Sequence, residues 1–208
     1  MDHSIDNDFW YRDISFTGIN VGDYRRFVSA LAIGVSNHIT NLVYISDENL
    51  KEFSGIDYWD RYNIFSYQNE IMYDLLQHIK GLLQTACNKL DINYIEQKYH
   101  IHGWVDIYNG EFNETDIDNL SWYDEAMTNN VFTGMFLLDA EDSSNYYLKN
   151  GEIKEIENMP GRLNIFTNHK WFHGKWTQDR PKIVFRFNIY PLSSLPPLED
   201  YVTRYIPI

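Results

Sequence analysis

Residues 161–191 read GRLNIFTNHKWFHGKWTQDRPKIVFRFNIYP, and this stretch decides the fold. Two segments in it, 162–167 and 182–190, combine β-branched and aromatic residues in the way that strands do. His173 lies between the two predicted strands, and Lys182 opens the second strand nine residues later. The stretch therefore places a titratable imidazole and a cation next to the same pair of strands.

The rest of the second half is also rich in strand signals. Residues 99–108 (YHIHGWVDIY) alternate in polarity and end in an Asn-Gly turn signal. Residues 131–138 (VFTGMFLL) form a continuous apolar run, which is typical of a strand that is buried on both faces. Segments 144–148 and 152–156 flank Lys149-Asn-Gly151 and predict a hairpin.

The first half reads mostly helical. Its clearest helix spans about 68–90, where apolar residues recur at helical spacing, and shorter helices are predicted at 23–38 and 47–53 with a strand at 42–45. Helices followed by strands indicate a single α+β domain. We predict mostly helical support over about 1–95, a jelly-roll core over about 96–191 and a C-terminal extension over 192–208.

Composition excludes several classes of protein. The chain of 208 residues has a net charge of −13, with 17 basic against 30 acidic residues, so neither nucleic acid nor an anionic membrane surface is an expected partner. The single cysteine, Cys87, cannot form an internal disulfide and reads as a buried small hydrophobe. We see no signal peptide and no run long enough to span a bilayer, and we expect a cytoplasmic location.

Four blocks of the sequence together resemble the 2-oxoglutarate/Fe(II) oxygenase family, in particular its small phage-like and bacterial members. The blocks are residues 102–112, 132–138, 161–173 and 179–190. The resemblance implies a double-stranded β-helix, a cupin-like jelly roll that binds Fe(II) and 2-oxoglutarate. It implies His173 as the distal iron ligand and Lys182 as the partner of the far carboxylate of 2-oxoglutarate. Arg186 shares the strand face of Lys182 and is the alternative anchor.

The chain departs from the family at the first half of the metal site. The family places His-x-Asp between the first two of these blocks, and this sequence has no histidine between His102 and His169. Trp122-Tyr-Asp124 keeps the carboxylate, but an indole nitrogen is a donor and cannot ligate iron. We therefore predict His173 and Asp124 as the metal ligands.

Three other residues are open alternatives for the metal site. Asp116 and Asp118 lie at a short distance after the Asn-Gly turn and offer carboxylates, and His102 lies on the preceding strand. Each also has an ordinary interpretation, as part of a solvated acidic loop or as a hydrogen-bonded strand histidine. Trp104 and Trp122 are predicted to line a pocket for a small-molecule or peptide substrate.

The resemblance implies a dioxygenase that decarboxylates 2-oxoglutarate and hydroxylates a substrate, with an altered metal site. The alternative is a jelly-roll module that has lost iron and binds a ligand or a protein without catalysis. The sequence leaves the substrate and the oligomeric state open.

Overall fold

The computed structural model describes residues 1–14, 22, 23, 26, 63–66, 70–108, 122–174, 182–195 and 205–208. The elements whose bounds are described are ten strands, two α-helices and three short 3-10 helices. The strands are β1 (Asp2–Asp6), β2 (Phe9–Asp13), β3 (His100–Tyr108), β4 (Phe132–Asp139), β5 (Ser144–Lys149), β6 (Glu152–Glu157), β7 (Arg162–Phe166), β8 (Lys170–His173), β9 (Lys182–Tyr190) and β10 (Ile206–Pro207). The helices are α1 (Glu70–Lys89) and α2 (Tyr94–Gln97), and the 3-10 helices span Ile64–Ser66, Glu125–Met127 and Leu192–Ser194.

The described strands form two antiparallel sheets. The large sheet has the order β1-β2-β7-β4-β9-β3-β10 and the small sheet has the order β6-β5-β8. The predicted strands of the second half are confirmed, and so is the hairpin between β5 and β6. Its turn residues Asn150 and Gly151 have φ values of 53° and 81°, the left-handed backbone that an Asn-Gly turn adopts with little strain.

Two apolar clusters place these elements in three layers. On one face of the large sheet, α1 buries a stripe that includes Leu75, Ile79 and Leu82 against Phe136 and Phe185. On the other face, side chains of the large sheet meet those of the small sheet in a second cluster. The helix predicted over about 68–90 is confirmed as α1, because its apolar stripe finds a flat apolar partner in the sheet.

The N-terminal segment differs from the predicted helical support of residues 1–95. β1 and β2 form a hairpin that extends the large sheet through pairing of β2 with β7. Arg12 Nε lies 2.6 Å from Asp2 Oδ1, and the hydroxyl of Thr85 in α1 donates to the same carboxylate. Contacts with β7 and α1, which are distant in sequence, hold this hairpin. Its short strands are charged and show no strong alternation of polar and apolar residues, so the sequence pattern does not reveal them.

The C-terminal extension contributes one strand at the opposite edge, where β10 pairs with β3. The predicted elements at 23–38, 42–45 and 47–53 lie outside the described residues, apart from Asp23 and Arg26, whose backbone is helical. No helix in the described part of the chain is long and apolar enough to cross a membrane.

Cys87 lies fully buried on the apolar side of α1, as predicted. Burial raises the pKa of its thiol to about 11, and a hydrogen bond with Tyr99 opposes this only in part. The thiol is therefore protonated at neutral pH and packs as a hydrophobe.

Candidate functional site between the two sheets

One face of β9 carries the polar residues of the candidate site. Because side chains alternate along a strand, Lys182, Val184, Arg186 and Asn188 share a face. Val184 packs in the cluster between the sheets, and Phe185 and Phe187 pack on the α1 side. The polar stripe of β9 therefore faces the small sheet.

Lys182 is buried with 2% of its surface exposed, and its ammonium points at β5. Nζ donates to Asn145 Oδ1 at 2.8 Å and to the carbonyl of Ser144 at 3.2 Å. Burial lowers the pKa of Lys182 to about 7, and the charge of Asp106 offsets part of this effect. Both of these acceptors are neutral groups.

Asn145 links Lys182 to a hydrogen-bonded chain. Its Nδ2 donates to Asn158 Oδ1 at 3.1 Å, and Asn158 Nδ2 donates to the Ser143 hydroxyl at 2.9 Å. Ser143 in turn donates to the carbonyl of Ala140 at 2.6 Å. These contacts fix the orientation of the Asn145 amide, with its oxygen towards Lys182.

Arg186 is neutralised and enclosed by side chains of the protein itself. Its Nη1 donates to Asp106 Oδ2 at 3.0 Å, and both side chains are almost fully buried. The guanidinium carbon lies 4.5–4.9 Å from the ring centroids of three aromatic residues, Trp104, Tyr123 and Trp171. Such a cage compensates for the lost hydration of the guanidinium.

The register of the small sheet brings the backbone of His173 next to Lys182. His173 ends β8 and pairs with Asn145, the residue that holds the lysine ammonium. The side chain of His173 lies outside what the structure describes, so its predicted role as a metal ligand stays a prediction.

Asp124 lies farther from this point. Tyr123 and Trp171 exchange backbone hydrogen bonds at 2.9 and 3.0 Å as an antiparallel bridge. In an antiparallel bridge Asp124 runs towards Lys170, away from His173, and its side chain is exposed. The structure thus does not bring Asp124 to the backbone of His173.

The other predicted site residues lie in different surroundings. His102 pairs with Asn188, six residues along β9 from Lys182, which corresponds to about 20 Å. Trp104 packs on Arg186, and Trp122 is half-buried beside the bridge. Asp116 and Asp118 lie outside the described residues.

The described side chains do not by themselves complete an iron site. Among them no three His, Cys, Asp or Glu residues converge to hold a metal ion. We therefore derive no chemical step through iron.

Sequence reasoning did not single out Asn145 or Tyr123. Asn145 shares a strand face with Tyr147, and both side chains are buried. This alternation predicts an inward-facing Asn145 but does not identify its partner. Tyr123 lies between Trp122 and Asp124, which are both predicted site residues. Its contact with Arg186 follows from its backbone bridge to Trp171, which the sequence does not indicate.

No protein-family model matches the chain, and no curated protein matches it either. Solved structures do match, and one is the crystal structure of a Pseudomonas putida prolyl-4-hydroxylase. The alignment has 11% sequence identity and a TM-score of 0.42, and it covers 60% of this chain and 68% of the hydroxylase chain. At this level of similarity the hydroxylase adds nothing to the argument about function, which rests on the residues of this chain.

Proposed function

We propose that this chain is a double-stranded β-helix protein that acts as a 2-oxoglutarate/Fe(II)-dependent dioxygenase with an altered metal site. Lys182 anchors the dicarboxylate, and His173 with one carboxylate holds the iron. The substrate is a small molecule or a peptide that approaches between the two sheets.

Strand order supports the proposed fold. A jelly roll places eight strands in two facing sheets. Strands β3, β4, β7 and β9 lie in the large sheet, whereas β5, β6 and β8 lie in the small one, which accounts for seven places. The eighth strand of a jelly roll would lie at the edge of the small sheet beside β8, and Tyr123 forms an isolated bridge with Trp171 at that edge.

One observation carries the functional proposal: the buried ammonium of Lys182 is held by Asn145, and Asn145 pairs with His173. The Lys182 ammonium and the backbone of His173, nine residues apart in sequence, thus both adjoin Asn145. A carboxylate at Nζ would form a charge-assisted hydrogen bond with this ammonium.

Iron, when bound, would supply the oxygen chemistry of the reaction. In this chain Lys182 orients the dicarboxylate, and the buried aromatic residues around Arg186 keep water away from that end of the site. The carboxylate ligand is the part of the proposal still to be assigned among Asp124, Asp116 and Asp118.

The test is an anaerobic titration with Fe(II) and 2-oxoglutarate. The readout is the visible metal-to-ligand charge-transfer band. The wild type is expected to develop the band at about one iron per chain. His173→Ala should abolish it, and Lys182→Met should weaken 2-oxoglutarate binding by about tenfold or more, because a charged hydrogen bond is lost. Lys154→Met is the matched control, since Lys154 is an exposed lysine on the neighbouring sheet.

Single substitutions at Asp124, Asp116 and Asp118 to Asn then assign the carboxylate. Only the variant that loses iron identifies the ligand. A folded wild type that takes up no iron and forms no band would overturn the dioxygenase proposal.

The second candidate is a binding module that holds a dicarboxylate without iron. It is favoured by Trp122, which replaces the histidine expected two positions before Asp124. Calorimetry in the presence of a chelator distinguishes the two functions. A metal-free module binds 2-oxoglutarate equally well with and without chelator, and its affinity depends on Lys182 but not on His173.

A further inference from the structure

The turn between β1 and β2 is fastened to the small sheet by charged side chains. Lys149 Nζ, at the end of β5, lies 2.5 Å from Asp8 Oδ2 and 3.5 Å from Asp6 Oδ1. The backbone amide of Thr167 donates to the carbonyl of Asp8 at 2.9 Å. An edge hairpin of the large sheet is thus tied to both β5 and the loop between β7 and β8.

His169, in that loop, faces a hydrogen-bond acceptor with each ring nitrogen. Nδ1 lies 2.7 Å from the carbonyl of Thr167, and Nε2 lies 3.1 Å from Asp6 Oδ2. The residue is only 4% exposed, and its ring lies edge-on to those of Phe9 and Tyr147. A neutral imidazole has one N–H and can donate to only one of these acceptors, whereas an imidazolium donates to both.

Asp6 supplies the negative charge that this geometry needs. Burial alone would raise the pKa of Asp6, but the hydrogen bond from the Asp8 amide and the positive charges of His169 and Lys149 lower it overall. The carboxylate is therefore ionised at neutral pH, and it can only accept hydrogen bonds.

We propose that Asp6, Asp8, Lys149 and His169 form a protonation-dependent clasp that fastens the N-terminal hairpin to the small sheet. With the ring of His169 doubly protonated, both nitrogens donate and the clasp is closed. A ring that has lost one proton can donate to only one of its two acceptors, so one of these two contacts breaks as pH rises. In acid the clasp weakens again when Asp6 becomes protonated.

The other ionisable groups near His169 do not take over this role. The Lys149 ammonium pairs with Asp8 rather than with the imidazole, and burial raises the pKa of Tyr147, which stays neutral. Glu152 and Lys154 of β6 bring opposite charges to the rim of a cavity of about 240 Å³ beside the clasp. Opening of the clasp would widen this cavity, whose floor includes Phe9 and Tyr147.

The protonation state of His169 can be read directly from long-range ¹H–¹⁵N NMR spectra of the imidazole rings. In the wild type at pH 6 we expect both nitrogens of His169 to carry protons. In Asp6→Asn the new amide nitrogen can donate to Nε2, so the ring should be neutral at the same pH with its proton on Nδ1. His78 is an internal control, because its Nδ1 faces an Arg12 donor at 3.3 Å and should stay unprotonated in both proteins.

Hydrogen exchange of the Thr167 amide, corrected for the intrinsic pH dependence of exchange, reports whether the clasp opens. Between pH 6 and pH 8.5 its protection should fall by about tenfold in the wild type and stay constant in Asp6→Asn. Asp2→Asn loosens the other end of β1 without contact to His169, so it should leave the pH dependence of Thr167 protection intact.

Two results would overturn the clasp. One is a His169 ring that is neutral at pH 6 in the wild type, a measurement that requires no variant. The other is a ring that titrates as proposed while Thr167 protection does not change with it.

Discussion

At the scale of single residues, the two cations on the inner face of β9 differ in what neutralises them. Arg186 has a buried carboxylate and three aromatic rings, whereas Lys182 has a side-chain amide and a carbonyl. A buried ammonium holds its proton weakly, because desolvation disfavours the charged form. Lys182 is therefore the group on this face whose charge depends on pH near neutrality.

This difference predicts how stability changes with pH. The pKa of Lys182 is about 7 in the folded chain against an ordinary value of 10.5, so between these values the unfolded chain binds one more proton. The free energy of unfolding of the wild type should therefore rise with pH in that window, by about 1 kcal/mol per pH unit relative to Lys182→Met. Urea denaturation of both proteins at pH 7 and pH 9 measures it.

Lys154→Met serves as the control for this experiment, because Lys154 is exposed and its variant should follow the wild-type pH dependence. Parallel curves for the wild type and Lys182→Met would show that Lys182 keeps its proton throughout, against the prediction.

At the scale of elements, β4 and β9 approach each other closely at Gly134. A Cβ added at Gly134 would collide with the ring of Phe187 and lie 2.8 Å from the carbonyl oxygen of Asn164 in β7. Phe187 packs edge-on to Phe65 on the α1 side of the sheet, which limits how far its ring can shift. Glycine at this position thus lets three central strands of the large sheet keep their register.

Gly134→Ala should accordingly lower the free energy of unfolding by about 1–3 kcal/mol, because the added methyl group overpacks the core. A double-mutant cycle with Phe187→Leu checks the cause, since a smaller side chain makes room for the methyl group. Purely additive effects of the two substitutions would mean that Phe187 is not what Gly134 accommodates.

At the scale of the whole molecule, the large sheet is the middle layer and has apolar contacts on both faces. Leu82 of α1 is fully buried against it, and Gln84, two residues later, is exposed. Removal of a buried leucine side chain leaves a cavity that a layered core closes only in part.

Leu82→Ala is expected to lower the free energy of unfolding by about 2–5 kcal/mol. Gln84→Ala on the same helix should change it by no more than about 0.5 kcal/mol. Chemical denaturation followed by circular dichroism compares the two, and similar small losses for both would show that α1 contributes little to the core.

Much of the fold could be predicted because local patterns matched their tertiary surroundings. The apolar stripe of α1, the alternation of β3 and β9 and the Asn-Gly turn after β5 each correspond to an observed element. The N-terminal hairpin could not be predicted, because β2 is held by pairing with β7. Residues about 150 positions away supply its partners, and Asp13, for example, accepts from Arg162.

The sequence by itself determined which residues share a strand face, because side chains alternate with a period of two. It therefore set Lys182 and Arg186 on one face and placed His173 shortly before them. Only the tertiary structure decided what meets that face from the other sheet. Asp106 neutralises Arg186 and the aromatic rings enclose it, whereas burial between the sheets leaves Lys182 with a weakly held charge. The physical reason is that a pKa depends on burial and on neighbouring charges, and both are fixed by strand pairing across the fold.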